Sequence, residues 1–372
     1  MRGQNFKFRG ESIGECAATL RYTNSFLAIL NPEIHRPGEK GVAPGVGIDF
    51  KKLRLWITNG FGNLNPQAVA RCIGRKTGEI MEDYIFDRPP TTRVNGSVDL
   101  KRGSDEDDLH FEVQGGSFHW KNFNFQQLSG NIDWIGRTMV LTNMQGIFHG
   151  GRTEGHAHFA FPRKKGAEFS FKLTAVEVDF HSLMSDLSSK SNRLEGMING
   201  ELTIVSGNTA LPNSWMGYGN VHLREGLIWD IPVFGLFSPI LNAVAPGIGN
   251  SRAKQGIAQF LVTNSVISTT DLDIQATGMR MHFNGTVDFE KRIDSRVEAE
   301  LLRDIPGIGV IISKILWPVT KIFEYRVTGT LSDPKAEPLY IVPKILLLPL
   351  APFKVLKDIM TQDPRPVPPR IP

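Results

Sequence analysis

Cysteine is nearly absent: the 372-residue chain carries two, Cys16 and Cys72. Two thiols exclude a disulfide framework and a thiolate metal cage. They leave one bridge in an oxidising compartment or two free core residues. An excess of one charge is missing too. Lys plus Arg number 42 against 38 Asp plus Glu, for a net charge of +4. So balanced a chain lacks the strongly basic footprint of a nucleic-acid binder. No apolar stretch reaches the roughly 20 residues that span a bilayer. The longest, from Ile341 to Leu356, is broken by Pro343, Lys344, Pro349, Pro352 and Lys354. Nor does Met1 open a secretory leader, since Arg-Gly-Gln-Asn-Phe-Lys follows without an apolar run behind a basic start.

Catalytic and metal patterns are thin. Ser251-Arg-Ala-Lys254 and Lys76-Thr77-Gly78 match two motifs of penicillin-binding enzymes, but their order is reversed and Lys76 falls in a helical stretch. His149, His156 and His158 are close in sequence, yet His156 and His158 take the parity opposite Ala157, Phe159 and Phe161. That is the solvated face of a strand, and only Glu154 stands near as a further ligand. Gly38 to Gly47 lacks both phosphate-loop patterns and reads as a loop. No acid–base pair emerges. The expectation is a protein without catalytic residues, metal or cofactor.

What the chain has is alternation. Leu109, Phe111 and Val113 alternate with His110, Glu112 and Gln114, and Phe169, Phe171 and Leu173 with Ser170, Lys172 and Thr174. Met279, Met281 and Phe283 alternate with Arg280, His282 and Asn284, and Val297, Ala299 and Leu301 with Arg296, Glu298 and Glu300. Period two means one apolar and one wet face, which antiparallel sheets allow. Thirty-seven glycines and 23 prolines supply the turns. A short repeat recurs as Val94-Asn-Gly-Ser-Val-Asp-Leu100, Leu128-Ser-Gly-Asn-Ile-Asp-Trp134, Ile198-Asn-Gly-Glu-Leu-Thr-Ile204 and Phe283-Asn-Gly-Thr-Val-Asp-Phe289, with a weaker copy at Val327-Thr-Gly-Thr-Leu331. Its glycines, Gly96, Gly130, Gly200, Gly285 and Gly329, occupy the apolar parity, where a missing side chain permits a bulge or bend. The fold class that follows is mainly β: a long curled antiparallel sheet forming an apolar groove, with a few short helices. Phe111, Val113, Phe171, Leu173, Ile274, Met281, Phe283 and Val297 share the apolar parity and are expected to line one face that contacts lipid.

Helix signals are three. Asn65-Pro66 caps a helix running through Ala70 towards Met81 and ending before Asp87-Arg88-Pro89-Pro90. A second covers Val233 to Ala245, and a third Gly309 to Phe323 with a break at Pro318. The last two are too apolar for exposed helices. Either they plug the sheet, or Phe234, Phe237, Ile311, Ile315 and Trp317 touch a membrane or a partner.

From about Leu109 to Pro338 the chain resembles the C-terminal region of AsmA-like proteins, relatives of TamB and YhdP. The segments that carry the likeness are Phe118-His-Trp120, Leu128 to Trp134, Gly226-Leu-Ile-Trp-Asp-Ile-Pro-Val-Phe-Gly-Leu-Phe237, Asn264-Ser-Val-Ile-Ser-Thr-Thr-Asp-Leu-Asp-Ile274 and Val327-Thr-Gly-Thr-Leu-Ser-Asp-Pro334. They stand in the family's order. The resemblance implies a lipid-holding groove in the periplasm of a double-membrane bacterium, associated with the inner membrane and serving phospholipid delivery to the outer membrane. It implies phospholipid acyl chains as cargo and outer-membrane or envelope proteins as possible partners, with no nucleic acid. Family members carry an N-terminal membrane anchor, and the expectation here is a chain that has lost its front. Three regions are expected: residues 1–88 as the first part of the groove with one helix, 89–340 as the AsmA-like region, and 341–372 as an apolar, then Pro-rich tail. The alternative is a scaffold for envelope proteins that closes on its own side chains.

Overall fold

Alternating side chains make strands, and short polar turns join each strand antiparallel to a near neighbour. The computed structural model describes residues 1–73, 78–79, 81–101, 105–120, 123–163, 165–187, 193–244, 246–301 and 321–341. Its 22 strands belong to one antiparallel sheet. The chain divides into two units: residues 1–191, 198–219 and 262–265 form the first, and residues 192–197, 220–261 and 266–372 the second.

The first unit is a meander. β1 (Arg2–Phe8), β2 (Glu11–Thr23) and β3 (Phe26–Arg36) pair in order. β3 then pairs along its length with both β4 (Glu39–Val42) and β5 (Gly45–Asp49), and these two pair with β6 (Arg54–Gly62). The glycine-rich stretch 38–47, expected as a loop, is thus mostly strand. Glycine lets side chains pack close there: a Cβ on Gly47 would sit 2.7 Å from the Phe26 ring, and one on Gly41 2.7 Å from Leu64. β7 (Tyr84–Phe86) and β8 (Thr91–Asp99) follow, then β9 (Asp108–Gln114) and β10 (Phe118–Trp120). β8 joins β6 to β9, and both β9 and β10 pair with β11 (Phe123–Ile135). β12 (Thr138–Phe148), β13 (Gly151–Ala160) and β14 (Glu168–Asp179) continue the order. Residue 88 falls between β7 and β8 of this one unit.

β15 (Glu195–Asn208), β16 (Leu211–Leu227) and β17 (Ala253–Thr263) contribute to both units. The second unit then runs through β18 (Val266–Ala276), β19 (Met279–Asp288), β20 (Arg292–Leu301), β21 (Lys321–Thr330) and β22 (Asp333–Ile341), each paired with the next.

Helices are short. α1 (Pro66–Ile73) starts where expected, with Asn65 Oδ1 accepting from the backbone N–H of Gln67 at 2.9 Å and of Ala68 at 3.4 Å. α2 (Phe180–Leu187) follows β14, and Asp179 Oδ1 accepts the Ser182 N–H at 2.8 Å. The expected helix over 233–245 is two pieces, α3 (Pro232–Gly235) and α4 (Ser238–Val244), since the chain turns at Leu236-Phe237 to seat Phe237. The third expected helix lies largely outside the described residues, as do Ile311, Ile315, Trp317 and the tail from residue 342. Its expected end is corrected: Phe323 belongs to strand β21, where it faces Ala299.

The repeat glycines mark irregularities in the ladder. In β6 the register shifts between Ile57 and Gly60 opposite Gly96, and in β11 it shifts around Gly130. Gly96 has φ 129° and Gly130 φ 153°, and a Cβ on Gly96 would fall on the Asp108 carbonyl oxygen. In β18 the shift lies between Thr269 and Leu272, across from Gly285 and Phe283. The Asn before the glycine has its own task. Asn95 Oδ1 accepts the N–H of bulged Asn59 at 2.6 Å, and Asn199 Oδ1 that of Glu177 at 2.7 Å. Asn59 and Glu177 both have positive φ, at 46° and 57°. The Asn95 side chain thus satisfies an amide that the bulge removes from the ladder.

Candidate functional site

In the first unit the register aligns apolar residues across ten strands. Leu20, Ile29, Val46, Ile57, Gly96, Leu109, Trp134, Met139, Phe159 and Phe169 are successive cross-strand partners from β2 to β14. Strands lie about 4.8 Å apart, so the row runs on the order of 43 Å across the sheet. Beside it a second row joins Val94, Phe111, Ile132, Leu141, Ala157 and Phe171. Together they cover on the order of 450 Å² of sheet.

This surface is not packed like a core. All six members of the second row are only half-buried, and in the first row only Phe169 is buried. Phe169 is closed by Trp215, whose ring meets it edge-on at 5.1 Å. Leu20 and Leu173 are 46% and 42% exposed. A patch of this size matches the largest apolar patch of a typical monomer, and such patches are often functional. At the other end of β11 and β12 stands an aromatic ladder, Phe86, Phe118, Phe125 and Phe148, with successive centroids 5.5, 4.7 and 4.9 Å apart. There α2 docks through Asp186, 2.9 Å from His149 and bonded to the Asn124 side chain at 2.9 Å.

The reverse face is wet. His110 Nδ1 is 2.6 Å from Asp133 and its Nε2 3.0 Å from Asp108. The Asp133 hydrogen bond raises the His110 pKa above the ordinary imidazole value. Lys172 pairs with Glu201, and His156 and His158 stand exposed.

The eight residues expected to form one lipid-contact face divide between the units. Phe111, Val113, Phe171 and Leu173 lie on the open surface of the first. Ile274, Met281, Phe283 and Val297 lie in the second and are 3%, 0%, 4% and 0% exposed. Protein already covers these four, which corrects the expectation of an open face there. The Phe234 ring stands edge-on to Phe283 at 5.1 Å. Phe237 stacks on Phe323 at 5.3 Å and meets Tyr325 edge-on at 5.7 Å. Phe237 is wholly buried, so it presents nothing to a membrane or partner, and Phe234 is half-buried against the sheet. The reverse face of this unit holds a charged network. Glu324 pairs with Lys321 and Arg296, and Lys321 first holds its carboxyl below the ordinary range.

Among the described residues no three metal-type side chains converge, and Cys16 and Cys72 are free thiols. Sequence reasoning missed the N-terminal half of the long row. Leu20, Ile29, Val46 and Ile57 sit in strands whose other face is also partly apolar, as with Ala28 and Trp56, so alternation fades there. It also missed the Asn clamps, although the Asn-Gly pairs of the repeat were their signal. No protein-family model, curated protein or solved structure matches the chain.

Proposed function

We propose that this chain is a non-enzymatic lipid carrier whose first unit shields phospholipid acyl chains on the ten-strand apolar row. The observation that supports it most is that row: apolar residues in cross-strand register over a distance several times the half-thickness of a bilayer core. Water opposes lipid transfer by about 0.8 kcal/mol per methylene, so two chains of ~16 carbons face a barrier on the order of 20 kcal/mol. A continuous apolar surface lowers that barrier without chemistry, and its lack of buried polar ligands suits passage rather than tight capture. The resemblance of its sequence segments to AsmA-like proteins supports a role in the periplasm, associated with the inner membrane and supplying the outer membrane. The covered face of the second unit favours a structural role for that part, as in the scaffold reading.

A photo-crosslinker at Phe111 or Phe171 in living cells tests the proposal. Lipid adducts there, absent at the wet neighbours Glu112 and Lys172, are expected. Crosslinks to protein alone at both parities would leave the scaffold.

A further inference from the structure

Towards its β14 end the long row borders hairpin turns, and there two arginines share one carboxylate. Trp134 and Met139 flank the β11–β12 turn that holds Gly136 and Arg137. Phe161 and Arg163 follow β13 directly, in the connection to β14. The Phe161 ring stacks on Trp134 at 5.3 Å, and Arg137 Nε donates to the Phe161 carbonyl at 2.5 Å. Asp105, in the connection before β9, offers one oxygen to each guanidinium. Its Oδ1 lies 3.0 Å from Arg137 Nη1 and its Oδ2 3.4 Å from Arg163 Nη2. The Gly136 N–H also donates to the Asp107 carbonyl at 2.6 Å.

Two guanidiniums facing two oxygens of one anion is the geometry that phosphate recognition uses. The Asp105 carboxylate shows that an anionic oxygen pair fits between them. Its hold is weak, because the Arg137, Asp105 and Arg163 side chains are 37%, 38% and 78% exposed, and exposed pairs contribute little. A phosphate carries more charge and more acceptor oxygens than the carboxylate it would replace. The neighbouring apolar surface is Trp134, Met139, Phe159 and Phe161. A phosphate on the arginines and acyl chains on those four side chains describe one amphipathic molecule.

We propose that Arg137 and Arg163 bind the phosphate of a glycerophospholipid whose acyl chains lie on this end of the row, and that Asp105 occupies the place until the lipid displaces it. This rests on the lipid-carrier reading and adds the head-group class and its recognition. The acidic connection then acts as an internal competitor, setting how readily a phospholipid enters the row.

The test titrates detergent-free protein with dioctanoylphosphatidylglycerol and with dioctanoylglycerol, which has the same chains and no phosphate. The phospholipid should bind about tenfold more tightly, the worth of a charge-assisted contact. Arg163→Gln should remove most of that preference and leave dioctanoylglycerol binding unchanged. Among the described residues the Arg163 side chain pairs with Asp105 alone and is 78% exposed, so folding is spared. Asp105→Asn should tighten phospholipid binding alone. If both lipids bind, but with equal affinity or with a preference that survives Arg163→Gln, the head-group proposal is wrong and the carrier reading stands. If neither lipid binds the wild-type protein, the carrier reading itself fails.

Discussion

Phe171 on β14 and Phe283 on β19 both take the apolar parity of an alternating strand, yet one is half-buried and the other 4% exposed. The strands around them do not explain the contrast. In both units apolar residues line up across neighbouring strands and charges line the reverse. The difference lies in the connections. In the second unit α3, α4 and the turn between them lay Phe234 and Phe237 over the sheet. In the first unit α1 and α2 bury Ala68, Ala70 and Phe180 of their own, and the long row stays half-buried apart from Phe169 and the exposed Leu20. Alternation therefore decides which face is apolar, and the non-strand segments decide whether that face is a core or a surface.

The largest effect should separate the two faces by charge. Phe283→Asp puts a carboxylate under the aromatic cover and should cost about 3–5 kcal/mol in urea unfolding. Phe111→Asp keeps access to water and should cost about 1 kcal/mol. Equal losses at both sites would erase the distinction. Next comes Phe237→Ala, which removes the cover's central ring and should cost roughly 3 kcal/mol. An accompanying rise in binding of an apolar dye would mark the second unit as newly opened.

Gly130→Val tests what the units share. At φ 153° the side chain would strike Met144, and a loss of about 2 kcal/mol is expected. Gly285→Val should behave alike, because its Cβ would meet the Asp294 carbonyl and Ser295. A smaller loss, about 1 kcal/mol, should follow Asn95→Ala, which strands the Asn59 amide. The smallest effect belongs to His110. Asp133 raises its folded pKa above the unfolded value, so its contribution is complete below the unfolded pKa of about 6.5 and fades as pH rises through the raised one. Unfolding midpoints should decline slightly as pH rises from about 6.5 through the raised pKa, and His110→Gln should flatten that decline.

Much of the sheet was legible because period two is a local signal. Residues 109–113, 169–173, 279–283 and 297–301 read directly as the strands β9, β14, β19 and β20. The Asn65 cap was equally local. What could not be read was anything set by tertiary contact. Nothing in 233–245 alone says that the helix must break so that Phe237 can reach Phe323, and nothing near Phe323 says that it begins a strand. Burial misled for the same reason. Phe111 and Phe283 look alike in sequence, and only the presence of α3 and α4 tells them apart. The row itself needed register, which depends on bulges whose size the glycines announce but do not specify.

The Asn clamp has a consequence for inheritance. Asn95 corrects a bulge in the strand beside its own, and Asn199 an amide of β14, so each irregularity is settled between neighbours and leaves no debt to distant strands. A sheet assembled this way can gain or lose a hairpin without disturbing the alignment of the rest. Duplicating one would add two strands and about 10 Å to the row. Length becomes a trait adjustable in steps, one hairpin at a time.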